Sequence, residues 1–102
     1  MPKINSVEKG AVVYNVIDTN ITRAYYNQGV LFLGHGFWGN GRHPMNKVCL
    51  ICYGNDGSIS ETVLQDARGG NDRPLFLVSE YNGQLRISPN NCALMGLTYI
   101  IF

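Results

Sequence analysis

Phe76-Leu77-Val78-Ser79-Glu80-Tyr81-Asn82-Gly83-Gln84-Leu85-Arg86-Ile87 is two β-forming runs joined by an Asn-Gly dipeptide. Asn and Gly accept the positive φ of a type I′ turn, so residues 75–80 are predicted to pair antiparallel with 84–88. Further on, Leu97-Thr98-Tyr99-Ile100-Ile101-Phe102 closes on three large apolar residues. Terminal residues of a domain ordinarily fray, whereas an end this apolar must be buried or present a sticky β-forming tail. The expectation is a closing strand locked into a sandwich or against a neighbouring copy.

Outward from these stretches, helical periodicity is almost nowhere to be found. Short β-rich runs at 11–17, 20–26, 29–33, 47–53, 58–65, 74–81, 84–88 and 94–102 are separated by Gly, Asn, Asp and Pro. That spacing predicts an all-β sandwich or barrel. Asn55-Asp56-Gly57 is a second hairpin signal. Val48, Leu50 and Cys52 alternate with Cys49, Ile51 and Tyr53, so both faces of that run are apolar. Such a strand is central, or one of its faces meets a partner chain. Alternation falters across Ile59, Thr62, Val63 and Leu64, which predicts a bulge near Glu61. Residues 34–46 and 66–73 read as two long loops. Eight strands with loops at the ends fit a jelly-roll-like antiparallel β-sandwich.

The 102 residues read as a single domain, 1–102, either complete or the C-terminal piece of a longer chain. Hydrophobic residues make up 45%, enough for a packed core, but charged residues only 15%, against roughly 25% in an average soluble protein. So sparse a charge predicts that part of the surface is buried in an oligomer. The net charge is +1 and the eight Lys and Arg do not cluster, which argues against a nucleic-acid partner and against a polybasic membrane patch. No run approaches the roughly 18 apolar residues of a membrane span, and Met1-Pro2-Lys3 opens no secretory h-region. The three cysteines, Cys49, Cys52 and Cys92, are odd in number, so reduced, buried thiols are expected rather than a disulfide framework.

The densest chemistry lies in Gly34-His35-Gly36-Phe37-Trp38-Gly39-Asn40-Gly41-Arg42-His43-Pro44. An aromatic ring beside Arg, Asn and His is what a sugar needs: a flat apolar face for its C–H groups, and polar groups for its hydroxyls. Phe37, Trp38, Arg42 and His43 are therefore candidate carbohydrate contacts. The competing structural reading has both aromatic rings plugging the end of the sandwich or a subunit contact, while the glycines merely turn the chain. Arg68 and Arg73, in the mixed-charge run Asp66-Ala67-Arg68-Gly69-Gly70-Asn71-Asp72-Arg73, are candidate partners for an acidic polysaccharide, and Tyr81 adds a further ring, with Tyr25 and Tyr26 as others. His35 and His43 lack a third ligand nearby, so no metal is expected. Cys49 and Cys52 stand three apart on a strand and point to opposite faces, which excludes a redox dithiol. No residues are assigned to catalysis and no cofactor is expected.

Several pieces together resemble the C-terminal domain of a bacteriophage tail fibre or tailspike. These are the lead-in Lys9-Gly10-Ala11-Val12-Val13-Tyr14-Asn15, the hairpin Tyr53-Gly54-Asn55-Asp56-Gly57-Ser58-Ile59-Ser60, the 76–87 hairpin and the apolar end Tyr99-Ile100-Ile101-Phe102. The resemblance implies a homotrimeric β-sandwich in the virion tail, assembled in the bacterial cytoplasm. It would register the trimer through Tyr99, Ile100, Ile101 and Phe102 and bind host-surface glycan. Two alternatives go with it: a purely structural trimerisation clamp, or an accessory domain of a capsule depolymerase whose catalysis lies elsewhere.

Overall fold

A computed structural model describes residues 3–6 (backbone only), 15–22, 29–53 and 58–102. These form eight strands: β1 (Lys3–Ser6), β2 (Ile17–Thr22), β3 (Val30–Trp38), β4 (His43–Tyr53), β5 (Ile59–Ala67), β6 (Phe76–Tyr81), β7 (Gln84–Pro89) and β8 (Ala93–Ile101). Every pairing is antiparallel, in a five-stranded sheet ordered β1-β8-β3-β4-β5 and a three-stranded sheet ordered β2-β7-β6. The sheets face each other as a sandwich. Val30, Phe32, Cys49, Ile51, Leu94 and Leu97 come from the larger sheet to meet Ile21, Leu75, Phe76, Leu85 and Ile87. The expected all-β antiparallel sandwich is what forms.

Both stretches that decided the fold behave as their residues require. Tyr81 pairs with Gln84 across a two-residue turn in which Asn82 (φ 51°) and Gly83 (φ 78°) are both left-handed, as a type I′ hairpin demands. The apolar end is an interior strand: Ile101 pairs with Lys3 on one side and Val30 on the other. Ile101 is buried, Tyr99 packs its ring 5.9 Å from that of Phe32, and the Phe102 amide donates to Gly29 O at 3.0 Å. Ile100 and Phe102 project from the opposite, outer face, where Phe102 is half exposed.

Four expectations need correction. Residues 34–46 are not a loop: β3 continues to Trp38 and β4 begins at His43, leaving only a four-residue turn between them. The glycines that read as loop are notches. A Cβ on Gly34 would lie 2.7 Å from the Phe76 ring, and one on Gly36 would lie 1.9 Å from Ala93 O. Side chains are absent there because the other sheet and a neighbouring strand come too close. The expected bulge sits at Leu64 rather than Glu61, since Val48 pairs with Gln65 and Cys49 with Val63. The expected break between 17 and 20 is instead continuous strand β2, which absorbs a left-handed Asn20 (φ 61°). There Thr19 Oγ1 donates to Leu85 O and accepts from Ile21 N, and Gln84 Oε1 accepts from Asn20 N, replacing ladder bonds. Residues 66–73 begin inside β5, which runs to Ala67. The Asn55-Asp56-Gly57 turn, the lead-in from 9 to 14, Tyr25 and Tyr26 lie outside the described residues.

The cysteines divide by face. Cys49 and Cys92 are buried, but Cys52 is exposed, because its side of β4 is the outer face. Burial, reinforced by the charge of Glu61, pushes the Cys49 thiol up to about 12 from an ordinary 9.0. Between those values the unfolded chain releases a proton that the folded chain keeps. Folding stability is therefore lost as pH rises through that window, by at most ~1.4 kcal/mol per pH unit. Urea unfolding at about pH 8 and about pH 10.5 is expected to show an alkaline loss of up to ~2 kcal/mol that Cys49→Ala removes. A loss of the same size in Cys49→Ala would assign it to other groups. In the native state Cys52, the exposed thiol, is expected to label fastest with a thiol reagent.

Candidate functional site

The turn joining β3 to β4 shapes one end of the sandwich. The Arg42 amide donates to Gly39 O at 3.1 Å, closing the turn with both residues in the left-handed region (φ 52° and 75°). This folds Arg42 back until its guanidinium carbon lies 5.1 Å from the centre of the Phe37 ring. On the neighbouring face Trp38 pairs with His43, and their rings stack at 4.5 Å with 28° between planes.

The loop at 68–75 braces this end from outside. Trp38 Nε1 donates to Gly69 O at 2.9 Å, and a Cβ on Gly69 would meet Pro44 O at 2.4 Å. Arg68 holds the loop's shape: Nε and Nη2 donate to Asp66 Oδ2 (3.0 and 2.8 Å), and Nη1 donates to Asp72 O (2.6 Å). The segment entering β8 is tied in as well. Asn90 N donates to Leu75 O, Cys92 Sγ donates to Asn90 O, and Asn71 Nδ2 donates to Cys92 Sγ at 3.3 Å.

Between the β3–β4 turn and the 91–93 segment lies a cleft of about 400 Å³, lined by Phe37, Trp38, Gly39, Asn40, Arg42, Asn91, Cys92 and Ala93. Its size is that of a small-ligand site. The lining offers aromatic surface, two amides and a guanidinium. Burial raises the Cys92 thiol above its ordinary range, away from neutrality. The cleft is therefore equipped to stack against and hydrogen-bond a ligand.

The sequence candidates separate by position. Phe37, Trp38 and Arg42 line the cleft, and His43 lies behind it as the platform for Trp38. Arg68 is committed to Asp66 and Asp72 and acts as a brace. Arg73 is more than half exposed and 3.9 Å from Asp72 Oδ1. Tyr81 stands apart, at the other end of β6, with the Arg86 guanidinium 3.7 Å from its ring centre. Trp38 also packs against the core, so the structural reading of that residue holds alongside any ligand contact. Sequence reasoning missed Asn91. The Asn90-Asn91 pair marks a turn, but its place in the cleft wall follows from β8 pairing with β3, which sets Ala93 beside Phe37. Among the described residues no group of three or more His, Cys, Asp or Glu gathers as a metal site, and His35 and His43 are separated along the hairpin.

Compared with known proteins, the chain matches no family model, no curated protein and no solved structure.

Proposed function

We propose that this chain is the jelly-roll-like C-terminal module of a bacteriophage tail fibre or tailspike, acting as a homotrimer that binds host-surface carbohydrate. The observation that carries the reading is the cleft, where aromatic surface from Phe37 and Trp38 stands beside Asn40, Arg42 and Asn91. Rings for C–H faces and donors for hydroxyls are the combination that holds a sugar. Weak single-site affinity would be multiplied by three copies on one particle. The jelly-roll-like description rests on the β1–β8 and β2–β7 pairs, which a rolled antiparallel ribbon produces. The β3–β4, β4–β5 and β6–β7 pairs join consecutive strands, while β3 also pairs with β8.

Glycan-array binding of the intact chain is the test. Trp38→Ala is expected to lower binding about tenfold or more, and to lower stability too, because the indole also packs on the core. Asn91→Gly removes an exposed amide at a left-handed position (φ 59°) that glycine accepts, and is expected to weaken binding several-fold with little change in melting temperature. Binding undiminished in both variants would remove the cleft from the reading.

A second reading, a trimerisation clamp without ligand, is favoured by the outer face of the larger sheet. Leu31 lies between Leu50 and Ile100 there, and Leu33 lies beside Val48. No outward position of β8, β3 or β4 in those rows is Asp, Glu, Lys or Arg. Leu33→Glu combined with Phe102→Glu is expected to dissociate the oligomer by solution mass. An unchanged mass would remove this face from assembly.

A further inference from the structure

From the same cleft, and resting on the carbohydrate reading, we infer that its ligand is an acidic sugar whose carboxylate is held by the Arg42 guanidinium. The polar side chains at this end of the sandwich fall into two sets. Arg68, Asn71, Cys92 and the Trp38 indole are all spent on internal bonds that shape the walls. Asn40, Arg42 and Asn91 line the cleft, and among the described residues their side chains have no hydrogen bond or ion pair.

Arg42 is the one formally charged side chain in the lining, and no carboxylate faces it there. Its guanidinium carbon stands 5.1 Å from the centre of the Phe37 ring, a contact that leaves its N–H groups open. That is a fork matched to a carboxylate, which it can bind bidentately. The nearby carboxylates are matched elsewhere, Asp66 by Arg68 at 2.8 Å and Asp72 by Arg73 at 3.9 Å. A neutral sugar would leave the guanidinium unmatched, whereas a uronic acid answers both the charge and the ring.

The probes are oligogalacturonate and oligomannuronate, each beside its carboxyl-reduced neutral counterpart, titrated into the intact chain at low salt. At least one acidic chain is expected to bind about tenfold more tightly than its reduced form. Arg42→Gln is expected to abolish that preference, and Arg42→Lys to restore part of it by charge without the fork. Rising salt should narrow the gap. Thermal melts of both variants check that the turn still folds. Equal affinity for acid and reduced chains overturns the inference, as does an acid preference that survives Arg42→Gln. In either case Trp38-dependent binding of neutral glycans leaves the carbohydrate reading standing. No binding of any chain, acidic or neutral, overturns both.

Discussion

Gly36→Val is expected to cost about 3 kcal/mol or more, the upper end for forcing atoms into a filled site. In a domain of this size that lowers the melting temperature by about 12–24 °C. A Cβ at this position would stand 1.9 Å from Ala93 O and 3.0 Å from Leu75 Cδ1. The first obstacle is main chain and cannot turn aside. It belongs to β8 just before that strand bulges at Met95, where the register against β3 slips between His35 and Gly36. Relief requires opening the β3–β8 ladder, which also carries the cleft. Gly96→Ala is the control, because its Cβ would meet only the tip of His35, an exposed side chain free to rotate. That variant is expected within about 0.5 kcal/mol of wild type. Thermal melts of the two variants check the contrast, and a Gly36→Val protein as stable as Gly96→Ala would contradict the described path of β3.

The second large effect lies at Lys47, whose side chain is only 2% exposed. Its ammonium donates to Phe76 O at 2.8 Å, lies 3.2 Å from Glu61 Oε2, and stands 5.0 Å from the centre of the Phe76 ring. The stem fills core space while the head joins β4 to the start of β6, so one side chain couples the two sheets. Lys47→Ala loses packing and leaves Phe76 O unpaired, at an expected cost of about 3–4 kcal/mol. Lys47→Met refills most of the volume and still leaves that carbonyl bare, at about 1–2 kcal/mol. Glu61→Gln is expected to cost under about 1 kcal/mol, because the carboxylate is nearly one-third exposed and water already screens the pair. Denaturant unfolding of the three variants gives the order Ala, Met, Gln from worst to mildest. A Glu61→Gln loss as large as that of Lys47→Ala would shift the weight from the carbonyl bond to the ion pair.

What could be read from residues alone was what local chemistry dictates. Asn82-Gly83 admits few backbone solutions, and the alternation of Cys49 and Ile51 with Val48 and Leu50 has one consistent set of faces. The terminal Ile101 belonged to a closing strand on solvation grounds, and it pairs on both edges. The failures share a cause. Gly34 and Gly36 look like loop residues because glycine has no side chain to favour a strand. Their reason is three-dimensional: Phe76 and Ala93, dozens of residues away, need the space. Cys52 looked as burial-prone as Cys49 until the sheet assigned their faces.

The site divides in the same way. Phe37, Trp38 and Arg42 were legible because a turn keeps sequence neighbours together in space. Asn91 was not, since only the β3–β8 pairing, which sets Ala93 beside Phe37, brings it to the cleft. Tyr81 looked equivalent to the other aromatic rings, but the type I′ hairpin carries it to the far end of β6 and onto Arg86. Arg68 looked free until the fold of its own loop supplied Asp66 and the Asp72 carbonyl.

The central claim is that the cleft between the β3–β4 turn and the 91–93 segment holds carbohydrate. Amide and indole chemical-shift mapping during titration with an oligosaccharide that binds the intact chain tests it most directly. The account predicts shifts confined to Phe37, the Trp38 indole N–H, residues 39–42 and residues 91–93, with Tyr81 and the outer rows around Leu33 unmoved. Shifts centred on Tyr81 or on the outer face, with the cleft silent, would contradict it.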